Sequence, residues 1–247
     1  RYTVGNLQNT PRLARPLSRF GRLWDILNRA GRLRALGEML TLHRAGLLRL
    51  LCVFTVTNRD FLQHFSLPVA LIPMGYSPRF GQALSLTRDI DVVFLGSTRD
   101  RRRKRIIGEL EQTFSSRGIS FIIKDGSPQR GFAFGQERTI LLNRAKIMLS
   151  IMRQPWDDPV FRLLLAAPNG VMVISEPLWP TSTGPFRPGE HLVMTKLDTI
   201  PEIVRHYLDH EEERQRIADR AYHYVTEHLS MSNMVRQMLQ TLIRGSE

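Results

Sequence analysis

The chain has 247 residues, 42% of them hydrophobic and 23% charged, which suits one large globular domain or two small ones. Its single cysteine, Cys52, excludes an internal disulfide and points to a reducing compartment; no apolar run is long enough to span a bilayer. The net charge is +12, and +8 of it falls in residues 1–50, where ten arginines face only Asp25 and Glu38. A segment of that kind can meet nucleic acid, an anionic membrane surface or a phosphorylated ligand, or can be a solvated helix face. Nucleic acid is disfavoured, because only Tyr2, Phe20 and Trp24 interleave those arginines. No histidine has a neighbour at metal-ligand spacing, so no metal site is expected. The chain opens on Arg1 with no charged-then-apolar leader, which reads as an N-terminally truncated protein.

In chain order, Leu17, Phe20, Leu23, Leu27, Leu33, Leu36, Leu40 and Leu47 recur at spacings near three and four, predicting two helices or one broken helix over 16–50. A small β-α-β unit follows: a strand at 51–57, a helix over 59–65 capped by Asn58, and a strand at 69–72. Residues 1–75 are read as the remnant of an N-terminal domain. The turn formers from Pro73 to Pro78 open a linker over 76–88. Beyond it, strands are expected at 90–95, 119–123, 147–151, 171–175 and 191–195. Helices are expected at 99–117, 136–144, 160–167, 200–208 and 212–228, and a C-terminal helix over 231–247 begins at Met231. Continuous apolar strands alternating with helices indicate an α/β domain over 89–230, a doubly wound, Rossmann-like parallel sheet covered on both faces.

In such a sheet a ligand sits beyond the carboxyl ends of the strands, so the residues just after each strand are the candidates. They are Gly96 and Ser97, then Lys124 followed by Asp125 and Gly126, then Arg153 and Glu176. Gly96 and Ser97 lead into a helix whose N-terminus suits a phosphate. Around it run Arg99, Arg101, Arg102, Arg103, Lys104 and Arg105, most of which one helix must turn to water. Neither GxGxxG nor a Walker-type loop occurs. In Trp156-Asp157-Asp158-Pro159 the carboxylates suit either a divalent cation or the cap of the next helix.

The run Phe161 to Glu176, with Arg162, Gly170 and the strand after it, resembles the signature of group 1 (GT4-like) glycosyltransferases, and in particular their CgeB-like, DUF3880-type branch. Gly184-Pro185-Phe186-Arg187-Pro188-Gly189-Glu190-His191 is similar to that branch's Pro-Gly-Glu turn. Tyr207-Leu208 with Glu212-Glu213-Arg214 resembles its paired helices, and Asp91 to Ser97 its first C-terminal-domain strand. The resemblance implies the C-terminal half of a GT-B fold, preceded by a partial N-terminal α/β segment. It implies transfer of a sugar from a nucleotide-diphosphate sugar, with retention and without a metal, to an acceptor that is a glycan, lipid or protein. No cofactor is implied, and the location expected is cytoplasmic, with peripheral contact at the inner membrane face.

On this resemblance Asp157 contacts the donor sugar as the catalytic group. Gly96, Ser97, Lys124, Arg153 and Arg162 hold phosphate, and Glu176 or Glu190, with Gly189 in its turn, reaches ribose. Two features depart from the pattern. Leu165 stands where many relatives carry a second glutamate, and Pro168 replaces a small residue. A non-catalytic nucleotide-sugar binder or scaffold of the same fold is therefore the alternative, and a nucleic-acid binder acting through the arginine-rich segment a second one.

Overall fold

The computed structural model describes residues 33–153, 160–177 and 185–244. The helices expected before residue 33, the Trp156–Pro159 segment with Asp157, and Gly184 lie outside them. The chain forms two compact units, one ending at Pro73 and joined by residues from Val235 on, the other spanning Met74–Met234.

In the first unit, helix α1 covers 33–44, and the parallel pair β1 (Leu51–Val53) and β2 (Val69–Leu71) flanks α2 (Val56–Gln63). Leu36, Val53, Leu62 and Leu67 form its core. The strand expected over 51–57 stops at three residues because Thr55 caps α2, its side chain accepting from the Asn58 N–H at 3.2 Å. Asn58, expected as the cap, lies inside the helix. β-Branched Val56 and Thr57 imitate strand chemistry, but the Thr55 hydroxyl satisfies a free amide of the first turn and sets the boundary.

The second unit is a five-stranded, wholly parallel sheet in the order β4-β3-β5-β6-β7, formed by β3 (Ile90–Leu95), β4 (Phe121–Lys124), β5 (Ala145–Ser150), β6 (Met172–Ser175) and β7 (Val193–Met194). Helices α3 (Arg101–Ser116), α4 (Gly135–Arg144), α5 (Val160–Ala166), α6 (Ile200–Asp209), α7 (Glu211–His223) and α8 (Met231–Arg244) complete the chain. Side chains alternate across a strand. Val92, Phe94, Ile147, Leu149, Met172 and Ile174 therefore face one core, with Ile107, Phe114 and Val204 of α3 and α6. Val93, Met148 and Val173 face the other, with Leu142, Leu163 and Leu164 of α4 and α5. Both faces are covered, so the strands are mostly apolar, with Asp91 in β3 and Lys146 in β5 near their amino ends; each fully buried Leu, Ile or Phe contributes about 1.5–3 kcal/mol.

The irregular stretch 76–88 is fastened to this sheet by buried polar groups. Asn143 Oδ1 accepts from the Leu84 N–H at 2.6 Å, and its amide nitrogen donates to Gln82 O and Asn169 Oδ1. Arg88 donates to the carbonyls of Ala145 at 2.5 Å and Asn169 at 2.9 Å. Gly81, at φ +136°, allows the close approach: a Cβ there would lie 2.2 Å from the Asn169 amide nitrogen.

Candidate active site

The sheet order reverses between β3 and β5, the point at which such folds place a ligand, beyond the strands' carboxyl ends. One side of this point is the turn after β3. Gly96 adopts φ +150°, a conformation that favours glycine, while its N–H donates to Lys124 O at 3.1 Å and ties the turn to β4. The Ser97 carbonyl accepts from Arg103, and the Ser97 hydroxyl accepts from the Arg99 N–H at 3.3 Å. The helix that follows starts at Arg101, two residues later than expected, because Asp100 caps it by accepting from the Arg103 N–H at 3.1 Å. The helix end behind Ser97 therefore already carries one carboxylate.

Two arginines of the α3 run turn inward. Arg103 is 2% exposed, its guanidinium 5.8 Å from the Phe94 ring centre. Arg102 reaches across the end of β5 to the end of β6. Its Nη1 donates to Met152 O at 2.8 Å and to Glu176 Oε1 at 3.0 Å, while Nη2 pairs with Glu176 Oε2. The Met152 N–H also donates to Glu176, at 2.5 Å. Glu176 is 3% exposed, whereas the Arg102 side chain keeps 27% of its surface in solvent. One bidentate ion pair thus ties the first turn of α3, the helix that follows β3, to the carboxyl end of β6.

The structure gathers part of the predicted set on this rim. Arg153 is exposed just beyond β5, and Arg162 on α5 places Nη1 3.3 Å from the Met152 sulfur. Glu176 lies there too, with both oxygens engaged by Arg102 and Met152. Lys124 ends β4 and pairs with Glu137 at 3.1 Å. Gly189 and Glu190 stand apart from these: they occupy the turn before β7, at that strand's amino end, where Glu190 meets Arg187 at 3.4 Å. Asp157 lies outside the described residues. Leu165 is buried, its carbonyl accepting from Asn169.

The structure gives two groups here a part that the sequence reading did not assign them. Arg102 was lost among exposed charges, although it precedes Ile106 by four residues and so shares the buried face of α3. Asp125 is 6% exposed and accepts from the Thr98 hydroxyl at 2.7 Å, the Ser127 N–H at 3.0 Å and Arg130 at 3.4 Å. Burial opposes its charge, but the Ser127 and Thr98 hydrogen bonds and the Arg130 charge prevail and hold its pKa at about 2. It floors a groove of about 700 Å³ between α3 and the loop after β4, with Arg99, Lys104 and Arg130 on the walls. Among the described residues no group of three His, Cys, Asp or Glu side chains could hold a metal, and no helix is long and apolar enough to cross a membrane.

A profile of the glycosyl transferase-like family matches residues 83–240, more than half of the chain. The chain belongs to that family. No curated protein matches it by sequence. Solved structures share its fold. S. aureus TarM has 12% identity and a TM-score of 0.63, covering 83% of this chain and 45% of TarM. Anabaena HepE, solved with UDP-glucose, has 11% identity and a TM-score of 0.57, covering 79% of this chain and 64% of HepE. Sucrose-phosphate synthase from Thermosynechococcus elongatus has 13% identity and a TM-score of 0.56, covering 79% of this chain and 58% of that one. These neighbours are GT-B glycosyltransferases, and the parallel sheet of this glycosyl transferase-like chain is the architecture it shares with them. The chain spans between about half and two thirds of their length.

Proposed function

We propose that the rim between β3, β5 and β6 is the donor site of a retaining glycosyltransferase of the CgeB-like branch, taking a nucleoside diphosphate sugar. The observation that carries this reading is the Arg102–Glu176 bridge across the point where the strand order reverses. It fixes an arginine whose side chain keeps 27% of its surface in solvent at the place where such folds bind phosphorylated ligands. In this reading the Gly96–Ser97 turn approaches the diphosphate, Arg153 and Arg162 neutralise it, and Lys124 adds charge from the β4 side. Glu176 orients Arg102. Asp157 contacts the donor sugar. Uridine is favoured as the base because HepE was solved with UDP-glucose and TarM with UDP. Catalysis on this scheme is positioning plus electrostatic stabilisation of the departing diphosphate.

Leu165 supports a second reading, a binder without transferase activity, since a buried leucine cannot hydrogen-bond a hydroxyl. Calorimetric titration with UDP, GDP, ADP and CMP separates these from a chain that has lost the site. The proposal expects one diphosphate to bind, with affinity lowered about tenfold or more in Arg102→Ala and in Arg153→Ala. No binding by the folded protein sinks it. Binding without hydrolysis or transfer of the matching sugar favours the second reading.

A further inference from the structure

A second concavity of the Met74–Met234 unit lies away from this rim. It is a shallow, open concavity of about 370 Å³ between the turn before β7 and the end of α7. There the helix passes into a π-helical turn, Tyr224–His228, an irregularity frequent at functional positions.

His191 sits in the wall at 5% exposure, its ring stacked on Tyr224 at 4.6 Å and 18°. The Arg187 backbone N–H donates to His191 Nδ1 at 3.1 Å. A ring nitrogen that accepts bears no proton, so the neutral imidazole carries its hydrogen on Nε2. Burial lowers the pKa of this histidine, with Glu190 opposing and Arg187 and Arg220 adding to the effect, which keeps the ring neutral at pH 7. Among the described residues no acceptor lies within hydrogen-bonding distance of Nε2; Glu190 Oε1 is 3.8 Å away. The cavity wall thus holds an N–H donor with no acceptor among the described residues.

Arg216 and Arg220, one turn apart on α7, line the same cavity, and neither has an ion pair among the described residues. Asp219, which accepts from Gln215 at 2.7 Å, and Glu190 also line it, beside His223 and His228. Two guanidinium groups and an N–H donor suit a phosphate, whose oxygens match the arginine fork. The two carboxylates would repel a bare anion but accept hydrogen bonds from hydroxyls.

We propose that this cavity binds a phosphate monoester of a polyhydroxy molecule, its phosphate on Arg216, Arg220 and His191 Nε2 and its hydroxyls on Asp219 and Glu190. Glu190 then serves this site rather than the donor rim, and the two sites fill independently.

The test is calorimetric titration of the full chain with ribose 5-phosphate, with inorganic phosphate as the comparison. Arg216→Ala and Arg220→Ala change exposed helix positions, and circular dichroism checks that they fold. The expected result is saturable binding of ribose 5-phosphate, about tenfold tighter than inorganic phosphate, weakened at least about tenfold in each variant and less in Arg220→Lys. The affinity should be unchanged when UDP is present in excess. No saturable binding, equal affinity for inorganic phosphate, unaltered affinity in the folded variants, or competition by UDP overturns the proposal.

Discussion

Arg102→Ala breaks the bridge from its more exposed side and strands a carboxylate that is 3% exposed. Removing one partner of a buried ion pair generally costs about 3–5 kcal/mol. Two features soften that here. The Met152 N–H still donates to Glu176, and water can follow the vacated side chain, which was 27% exposed. We therefore expect about 2–3 kcal/mol of destabilisation. Glu176→Gln leaves its orphan charge on the better-solvated partner and should cost less, about 1–2 kcal/mol. The decisive species is the double variant. With the stranded charge gone, Arg102→Ala/Glu176→Gln should be more stable than Arg102→Ala alone by about 1 kcal/mol. Urea unfolding followed by circular dichroism, at constant slope, measures all three. Additive costs, or a Glu176→Gln variant less stable than Arg102→Ala, would refute the claim that burial of the carboxylate sets the asymmetry.

Asp125 gives a pH signature. Its folded pKa of about 2 lies below the ordinary value of 3.8, so its stabilisation is full above about pH 4 and disappears as pH falls towards 2. Asp125→Asn should lose on the order of 2 kcal/mol at neutral pH and flatten that acid limb; an acid limb identical to the parent's would refute this. Gly81→Ala should cost about 2 kcal/mol or more, since the new methyl displaces the Asn169 amide at a positive φ; the thermal midpoint reads it. Arg101→Glu places a carboxylate in the first turn of α3 and should raise stability by a few tenths of a kcal/mol, while weakening diphosphate binding. A variant of equal affinity would place the diphosphate away from this helix.

The sheet was legible because it is buried on both sides. Ile90 to Leu95 and Ala145 to Ser150 have apolar residues for either core, and no helix of six residues would explain such runs flanked by turns. Boundaries were less legible wherever a side-chain hydrogen bond decided them. Thr55 starts α2 three residues before the expected Asn58 cap, and Asp100 starts α3 two residues late. Composition cannot choose between a threonine that extends a strand and one that caps a helix. The rim positions followed from strand ends alone, but which charges turn inward did not. That depends on pairs such as Arg102 and Glu176, 74 residues apart in the chain.

The first turn of α3 shows why the missed arginine matters. Arg101, Arg102, Arg103 and Lys104 open a helix whose N-terminus is already positive, with no acid among its first residues and only Asp100 as counterweight. Such an arrangement opposes the helix dipole by about 0.3–1 kcal/mol for each exposed charge. Selection for stability alone would place acids there. The structure offsets part of the cost at two of the four: Arg103 is buried against Phe94, and the partly exposed Arg102 is paired with the carboxylate of Glu176 just beyond β6. Arg101 and Lys104 remain exposed, and neither has an ion pair among the described residues. A bound diphosphate would reverse the sign of that remaining cost, because the charges that destabilise the empty helix end would then stabilise the complex. On the proposed donor-site reading the same residues would make the helix end less stable and a better receptor for anions. That exchange of stability for affinity is expected where a fold has been shaped around a charged ligand.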